Sequence, residues 1–289
     1  MRANERVCFI GGAGHSGSTL LGMALGAHPQ VFYAGEARKS IFFGNEKKAL
    51  RKRMCKVCGP TCEVWTKLDR QEDEDLYEAL SRRTRKPIVV DSTKSLAWLT
   101  EQSALVTSRG VKAHLLFLGR DGRAVISSGL RKYPEESAEE HTRKWQAQIE
   151  ATEALAANFP GGEAAVTRVH YEAFVTKPRE TLTSLASMLG IAFDEAMMNP
   201  WTSEQHPLGG NAGTQSLIEG AQTRVGGALE ISGAKKGYYA EHPRGFVLDE
   251  RWRRELTDDA RATFESIASE TNQRYAWPRE DGDRNKETT

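Results

Sequence analysis

The sequence predicts an α/β protein, a parallel sheet flanked by helices, on three observations. Apolar runs containing β-branched residues recur at Val7–Ile10, Ile88–Val90, Lys112–Leu118 and Ala165–Val169, and such runs read as buried strands. Each is followed by a segment with helical spacing, the alternation that builds a parallel sheet with crossover helices. The first run also opens directly into a Gly-rich turn and then a buried helix.

Taken in order, the first strand leads into Gly12-Ala13-Gly14-His15-Ser16-Gly17-Ser18-Thr19. This segment fits the phosphate-loop pattern G-x-x-x-x-G-K-[ST] at every fixed position but one, because Ser18 stands where the lysine belongs. The strand before it and the helix through Leu20, Leu21, Met23, Ala24 and Leu25 aim main-chain N–H groups and a helix N-terminus at one point, which attracts an anion. A tight glycine-rich turn without a ligand is the simpler alternative. In a nucleoside triphosphatase the lysine neutralises the β- and γ-phosphates while Ser/Thr and a strand-end Asp hold magnesium. Without that lysine a chelated triphosphate is poorly served. A phosphosulfate, whose terminal sulfonate carries one charge, fits better.

A short second strand at Val31–Tyr33 ends in Ala34-Gly35-Glu36. In a right-handed β-α-β unit its end returns to the sheet edge that carries the phosphate loop, so the Glu36 carboxylate is placed to face a bound anion. Next comes Cys55-x-x-Cys58-Gly59-x-x-Cys62-x-x-Trp65. It holds one zinc-like pair, but a closed site needs four ligands and the remaining cysteine, Cys8, lies on the first strand. The three cysteines are therefore expected as reduced thiols near an acceptor site, with no metal. The third strand ends in Asp91-Ser92-Thr93-Lys94, and the fourth in Gly119-Arg120-Asp121-Gly122, where Asp121 is a helix N-cap and Arg120 offers a planar fork to a phosphate. A capped helix with surface arginines would look the same in isolation.

Helical spacing continues through Trp145, Ile149, Thr152, Ala156 and Phe159, and again through Leu182, Leu185, Ala186 and Leu189 after the helix-starting Pro178. From Trp201 to Arg244 glycines accumulate without a period, which predicts a long loop able to act as a lid. With 289 residues, 39% of them hydrophobic, the chain can bury one large core. The expected organisation is a single domain over residues 1–278 with a Cys-containing insert near 45–70, a Gly-rich loop near 201–244, and a frayed polar tail at 279–289.

Lys and Arg number 40 against 39 Asp and Glu, so no basic excess points to nucleic acid or to an anionic membrane surface. No window approaches the ~18 uninterrupted apolar residues of a membrane span. The polar residues Met1 to Arg6 run straight into the first strand with no room for a signal peptide, and four cysteines do not make a disulfide framework in so long a chain. The cytoplasm is the expected compartment and a small molecule the expected partner.

On the residues quoted above, the chain resembles the sulfotransferases that use 3′-phosphoadenosine 5′-phosphosulfate (PAPS), in the bacterial branch with a His-Ser-Gly-Ser-Thr loop. The resemblance implies a phosphate-loop NTPase-like sulfotransferase fold in which Gly14, His15, Ser16, Gly17, Ser18 and Thr19 hold the 5′-phosphosulfate; most relatives carry Lys or Arg at the place of His15. Arg120 followed eight residues later by Ser128 is similar to the family's 3′-phosphate motif. Glu36 stands where relatives carry their catalytic base. Asp91-Ser92-Thr93-Lys94 is similar to the family's Asp-Ser-x-Lys turn, which implies that Lys94, with His15, stabilises the transferring and leaving groups. Tyr171-Glu172 followed by Pro178 resembles a structural segment of the family. Gly210-Asn211 resembles a C-terminal Gly-Asn segment whose following Arg is missing here, with Arg224 or Lys235-Lys236-Gly237 as candidates to replace it. The likeness covers about residues 6 to 190 well and the remainder poorly.

The implied reaction moves a sulfonate from PAPS to a hydroxyl of a small-molecule acceptor by in-line displacement, with no metal required. Two other classes remain: a nucleoside-triphosphate-dependent small-molecule kinase with Asp91 on magnesium, and a nucleotide-binding module without catalysis.

Overall fold

The computed structural model describes residues 2–66, 68, 75–219 and 243–277. Its framework is a five-stranded sheet of β1 (Arg6–Gly11), β2 (Val31–Gly35), β3 (Ile88–Asp91), β4 (Lys112–Gly119) and β5 (Val166–His170), in the spatial order β2-β3-β1-β4-β5. Every neighbouring pair is parallel. All residues of β2 and β3 are buried, which is why these strands read as continuous apolar runs instead of alternating ones. The sheet is flanked by helices, the fold class expected from the sequence.

Among the described residues the α-helices are α1 (Ser18–Gly26), α2 (Glu63–Thr66), α3 (Leu76–Thr84), α4 (Leu96–Ser108), α5 (Gly122–Lys132), α6 (Ala138–Ala157), α7 (Tyr171–Thr176), α8 (Pro178–Met188), α9 (Ala212–Gln215), α10 (Trp252–Glu255) and α11 (Asp258–Asn272). Their starts follow local chemistry. The Asp121 side chain accepts from the Arg123 N–H at 3.0 Å, Ser137 and Glu140 form a reciprocal capping box, and Pro178 opens α8. A side-chain cap of this kind is worth about 1 kcal/mol. Phe159 falls beyond α6 but its ring packs edge-on against Phe9, 6.4 Å between centroids; burial carries the apolar spacing past the helix end. The core between sheet and helices includes the fully buried Phe9, Leu99, Leu115 and Leu182 together with Phe117. Phe117→Ala would cost ~3–5 kcal/mol through lost transfer energy and the cavity left behind.

From β1 the chain moves toward β3 and β2, whereas from β4 it moves toward β5, so the direction of winding reverses between β1 and β4. The register pairs Gly11 with Phe117, bringing the carboxyl ends of the two strands nearly level. A crevice outside the strand ends at such a reversal is where ligands bind in open α/β sheets. Among the described residues no helix is long and apolar enough to cross a membrane. Of the Gly-rich stretch, residues 220–242 lie outside the described residues, as does the tail expected at 279–289.

Candidate functional site

The loop after β1 is shaped by three residues in the left-handed region: Gly12 (φ 106°), His15 (φ 62°) and Gly17 (φ 86°). Two of them have no room for a side chain. A Cβ on Gly12 would meet the Leu118 carbonyl oxygen at 2.3 Å, and one on Gly17 would meet the Tyr171 ring at 2.4 Å. Gly14 has open space around it. Gly17 is the N-cap of α1 and supplies no side-chain cap to the N–H groups of the first turn, which lie at the positive end of the helix dipole. Ser16 is fully buried and its Oγ has no partner among the described residues. The Thr19 hydroxyl accepts from the Asn211 N–H at 2.9 Å.

Arg120, at the end of β4, is 6% exposed and lies over the Tyr171 ring, its guanidinium carbon 4.2 Å from the centroid. Nη1 donates to the His15 carbonyl at 2.8 Å, a contact between residues 105 apart in sequence, and Nη2 donates to the Asp249 carbonyl at 3.1 Å. Arg120 Nε is buried with no partner among the described residues. Ser128, on α5, sits with its Oγ 3.2 Å from His15 Nδ1, and the His15 ring meets Tyr133 edge-on. The Asp249 carboxylate stands 3.5 Å from Arg120 Nη2. Burial alone would raise the Asp249 carboxyl, but the Arg251 hydrogen bonds and the Arg120 charge outweigh it and hold the group well below its ordinary range. Below this layer Glu172 accepts the Asp121 N–H at 3.1 Å, and burial pushes its carboxyl up to about 6. Tyr171 and Glu172, at the start of α7, thus brace the Arg120 turn.

On the other side of the loop, β2 and β3 end together, with Gly35 paired to Asp91. Glu36 follows at once. Its Oε1 accepts from the Gly210 N–H at 3.0 Å, its Oε2 lies 2.8 Å from Lys39 Nζ, and its side chain is 32% exposed. Lys94 Nζ donates to the Ile10 carbonyl at 3.2 Å. Burial pushes the Lys94 ammonium down to about 8, against the opposing charges of Glu36 and Asp91. Asp91 is fully buried and fully engaged. Oδ1 accepts from the Ala37 N–H at 3.1 Å, the Thr93 N–H at 2.9 Å and the Thr93 hydroxyl at 2.6 Å, and Oδ2 accepts from the Tyr77 hydroxyl and Trp98 Nε1, each at 2.9 Å. Five donors on two oxygens leave no lone pair for a metal.

These strand ends enclose a cavity of about 370 Å³ lined by Gly14, His15, Gly17, Ser18, Thr19, Glu36, Lys94, Arg120 and Ser128. Of the site residues expected from the sequence, only the buried Ser16 does not line it. Tyr133, Gly210, Asn211, Asp249 and Arg251 also line the cavity. Lys39, Asp249 and Arg251 were not singled out in the sequence. Lys39, three residues after Glu36 on a helical turn, could have been found by its spacing, whereas nothing local marks Asp249 or Arg251. Arg224 and Lys235-Lys236-Gly237 lie outside the described residues. Cys58 and Cys62 border a separate cavity with His206.

A family model described as the sulfotransferase family matches residues 8–195, which is more than half of the chain. The chain belongs to the sulfotransferase family. The match runs from β1 to just beyond α8 and so takes in the loop, Glu36, Lys94, Arg120 and Ser128. A candidate protein-tyrosine sulfotransferase of Caenorhabditis briggsae is 26% identical over 203 residues, 68% of this chain and 69% of the relative. Two solved structures share the fold of this sulfotransferase-family protein. The sulfotransferase domain from the Synechococcus PCC 7002 olefin synthase has TM-score 0.56 and 20% identity, covering 96% of this chain and 98% of that domain. The sulfotransferase domain from the curacin biosynthetic pathway has TM-score 0.58 and 17% identity, covering 96% of this chain and 100% of that domain.

Proposed function

We propose that this protein transfers a sulfonate from PAPS to a hydroxyl of a small-molecule acceptor. The observation that carries the proposal is the meeting of two distant motifs in one cavity: the loop of Gly14 to Thr19 and the pair Arg120 and Ser128. The residues present suit such a donor. The N-terminus of α1 has no side-chain cap from Gly17, the buried Ser16 Oγ and the buried Arg120 Nε have no partner among the described residues, and polar groups of this kind can be satisfied by a bound anion. When bound, PAPS supplies the activated sulfonate and its leaving phosphate.

The chain's own residues have separate tasks. The loop N–H groups bind and orient the 5′ end, and Arg120 and Ser128 bind the 3′-phosphate. Glu36 takes the proton of the acceptor hydroxyl, and Lys39 and the Gly210 N–H hold its two oxygens in place. Lys94 and the α1 N-terminus oppose the negative charge that grows on the leaving side. The His15 ring, hydrogen-bonded to Ser128, joins the two anion sites, and its carbonyl fixes Arg120.

A kinase is disfavoured by Ser18 in the lysine position and by Asp91, whose oxygens are consumed by five protein donors. The test is thermal protection by 3′-phosphoadenosine 5′-phosphate (PAP) and by ATP, each with and without magnesium. PAP is expected to raise Tm without metal, because the protein itself supplies the positive field. Protection that appears only with ATP and magnesium would overturn the proposal in favour of the kinase.

A further inference from the structure

We propose that Cys55, Cys58, Cys62 and His206 bind one zinc ion, and that this ion fastens the Cys-containing insert to the segment carrying Gly210 and Asn211. In sequence the site lacked a fourth ligand. The fold supplies it from 144 residues downstream of Cys62, where no spacing rule would look.

The three Sγ atoms and a ring nitrogen of His206 all lie within 4.8 Å of one another. His206 Nδ1 is 3.2 Å from Cys58 Sγ and 3.5 Å from Cys62 Sγ. Zinc bonds of about 2.3 Å to sulfur and 2.0–2.1 Å to nitrogen give a tetrahedron with edges of about 3.5–3.8 Å, so the ligand atoms need only small shifts to close on the metal. Cys55 and Cys62 are 0% and 3% exposed, as in a closed structural site.

Two further features suit a metal at this point. First, the Cys58 N–H points at Cys55 Sγ at 3.3 Å while the Gly59 N–H donates to the Cys55 carbonyl at 3.1 Å. Gly59 takes φ 75°, so the Cys-x-x-Cys-Gly turn closes on the Cys55 carbonyl and leaves the Cys58 N–H directed at the Cys55 sulfur, where a metal-bound thiolate would accept it. Second, the far nitrogen of His206, Nε2, lies 3.2 Å from the Glu204 carboxylate. An imidazole that donates to a carboxylate on one nitrogen is fixed in the tautomer that presents a lone pair on the other, the arrangement found behind zinc-bound histidines.

The consequence reaches the cavity. Trp65 Nε1 donates to the His206 carbonyl at 2.6 Å, the Lys56 N–H to the Pro207 carbonyl at 2.9 Å, and the Leu208 N–H to the Ala34 carbonyl at 2.9 Å. Two residues later the Gly210 N–H holds Glu36. The metal site therefore anchors the strand of chain that positions the proposed base. Its existence does not depend on the identity of the sulfonate donor.

The test is metal analysis of the full chain, purified under reductant from zinc-supplemented cells and dialysed against a weak chelator. One zinc per chain is expected, with an X-ray absorption shell of three sulfurs and one nitrogen. Cys62→Ser is expected to lose the metal. Because that variant could lose it by misfolding, His206→Cys supplies a second reading: it should keep the metal, and the cobalt(II)-loaded form should show a red-shifted spectrum relative to cobalt-loaded wild type as a fourth thiolate replaces nitrogen. Zinc-free protein whose intact mass is two hydrogens short would assign the cysteines to a disulfide and overturn the proposal. Zinc that stays bound in Cys62→Ser, or a cobalt spectrum unmoved by His206→Cys, would overturn it equally.

Discussion

The two sides of the cavity hold charge in opposite ways. On the β1/β4 side a nearly inaccessible arginine is clamped by backbone carbonyls, an aromatic face and the Asp249 carboxylate. On the β2/β3 side Glu36 stays a third exposed and is held by one lysine and one main-chain N–H. Its neighbour Asp91, one strand away at the same sheet edge, is buried under five donors. A fixed guanidinium binds an unchanging anion well, because its donors lose little freedom on binding. A carboxylate that must gain a proton needs solvent access and few competing donors. Glu36 meets that condition and Asp91 does not, although both leave adjacent parallel strands.

The sharpest break in this comparison is Glu36→Gln, which keeps shape and removes basicity. Turnover with an alcohol acceptor should fall ~10²–10⁴-fold while PAP binding and Tm stay near the parent values. Turnover measured across acceptors of rising hydroxyl pKa decides the matter, since a ratio near one throughout would remove Glu36 from the reaction. On the opposite side, Arg120→Ala should weaken PAP by about ten- to a hundredfold, as expected for loss of a charge-assisted contact of ~1.5–3 kcal/mol. The analogue without the 3′-phosphate should be much less affected, and equal losses in calorimetry would show that Arg120 does not read that phosphate.

Lys94 sharpens the contrast through pH. With its ammonium pushed down to about 8, it is charged below that pH and neutral above it, so kcat/KM should fall as pH rises past 8, by about tenfold per unit at most. Lys94→Arg carries a charge that does not titrate there and should abolish this limb. A limb unchanged in Lys94→Arg would assign it to another group. The smallest effect is expected from Asp249→Asn. Removing a carboxylate 3.5 Å from Arg120 Nη2 relieves competition for the same guanidinium and should tighten PAP by no more than about fivefold, the scale of a partly screened ion pair. Weaker binding instead would mean that Asp249 serves mainly to hold Arg251 in the cavity.

Much of the fold was legible because its signals are local. Apolar runs marked four of the strands, the short Val31–Tyr33 segment the remaining one, and Asp121 and Pro178 marked helix starts, since caps and fixed φ angles act within one turn. The glycine-rich loop after β1 was legible for the same reason: Gly12 and Gly17 occupy backbone positions that exclude a side chain. Phe159 was misplaced into helical spacing because burial against Phe9 imitates the period. Asp249 and Arg251 went unseen because an ion pair that folds over a cavity leaves no periodic trace in the chain.

By itself, then, the sequence determined the succession of strands and helices along the chain, the glycine-rich loop with Ser18 in place of lysine as a candidate anion site, and the candidates Glu36, Lys94, Arg120 and Ser128. Only the tertiary structure decided which carboxylate is open and which is consumed, what clamps Arg120, and that His206 joins three cysteines in the insert. The division follows from range. Backbone conformation and amphipathic period are set by neighbours a few residues apart, whereas solvation and charge pairing depend on groups that the parallel crossovers bring together from a hundred residues or more away, such as His15 with Arg120 and Cys62 with His206.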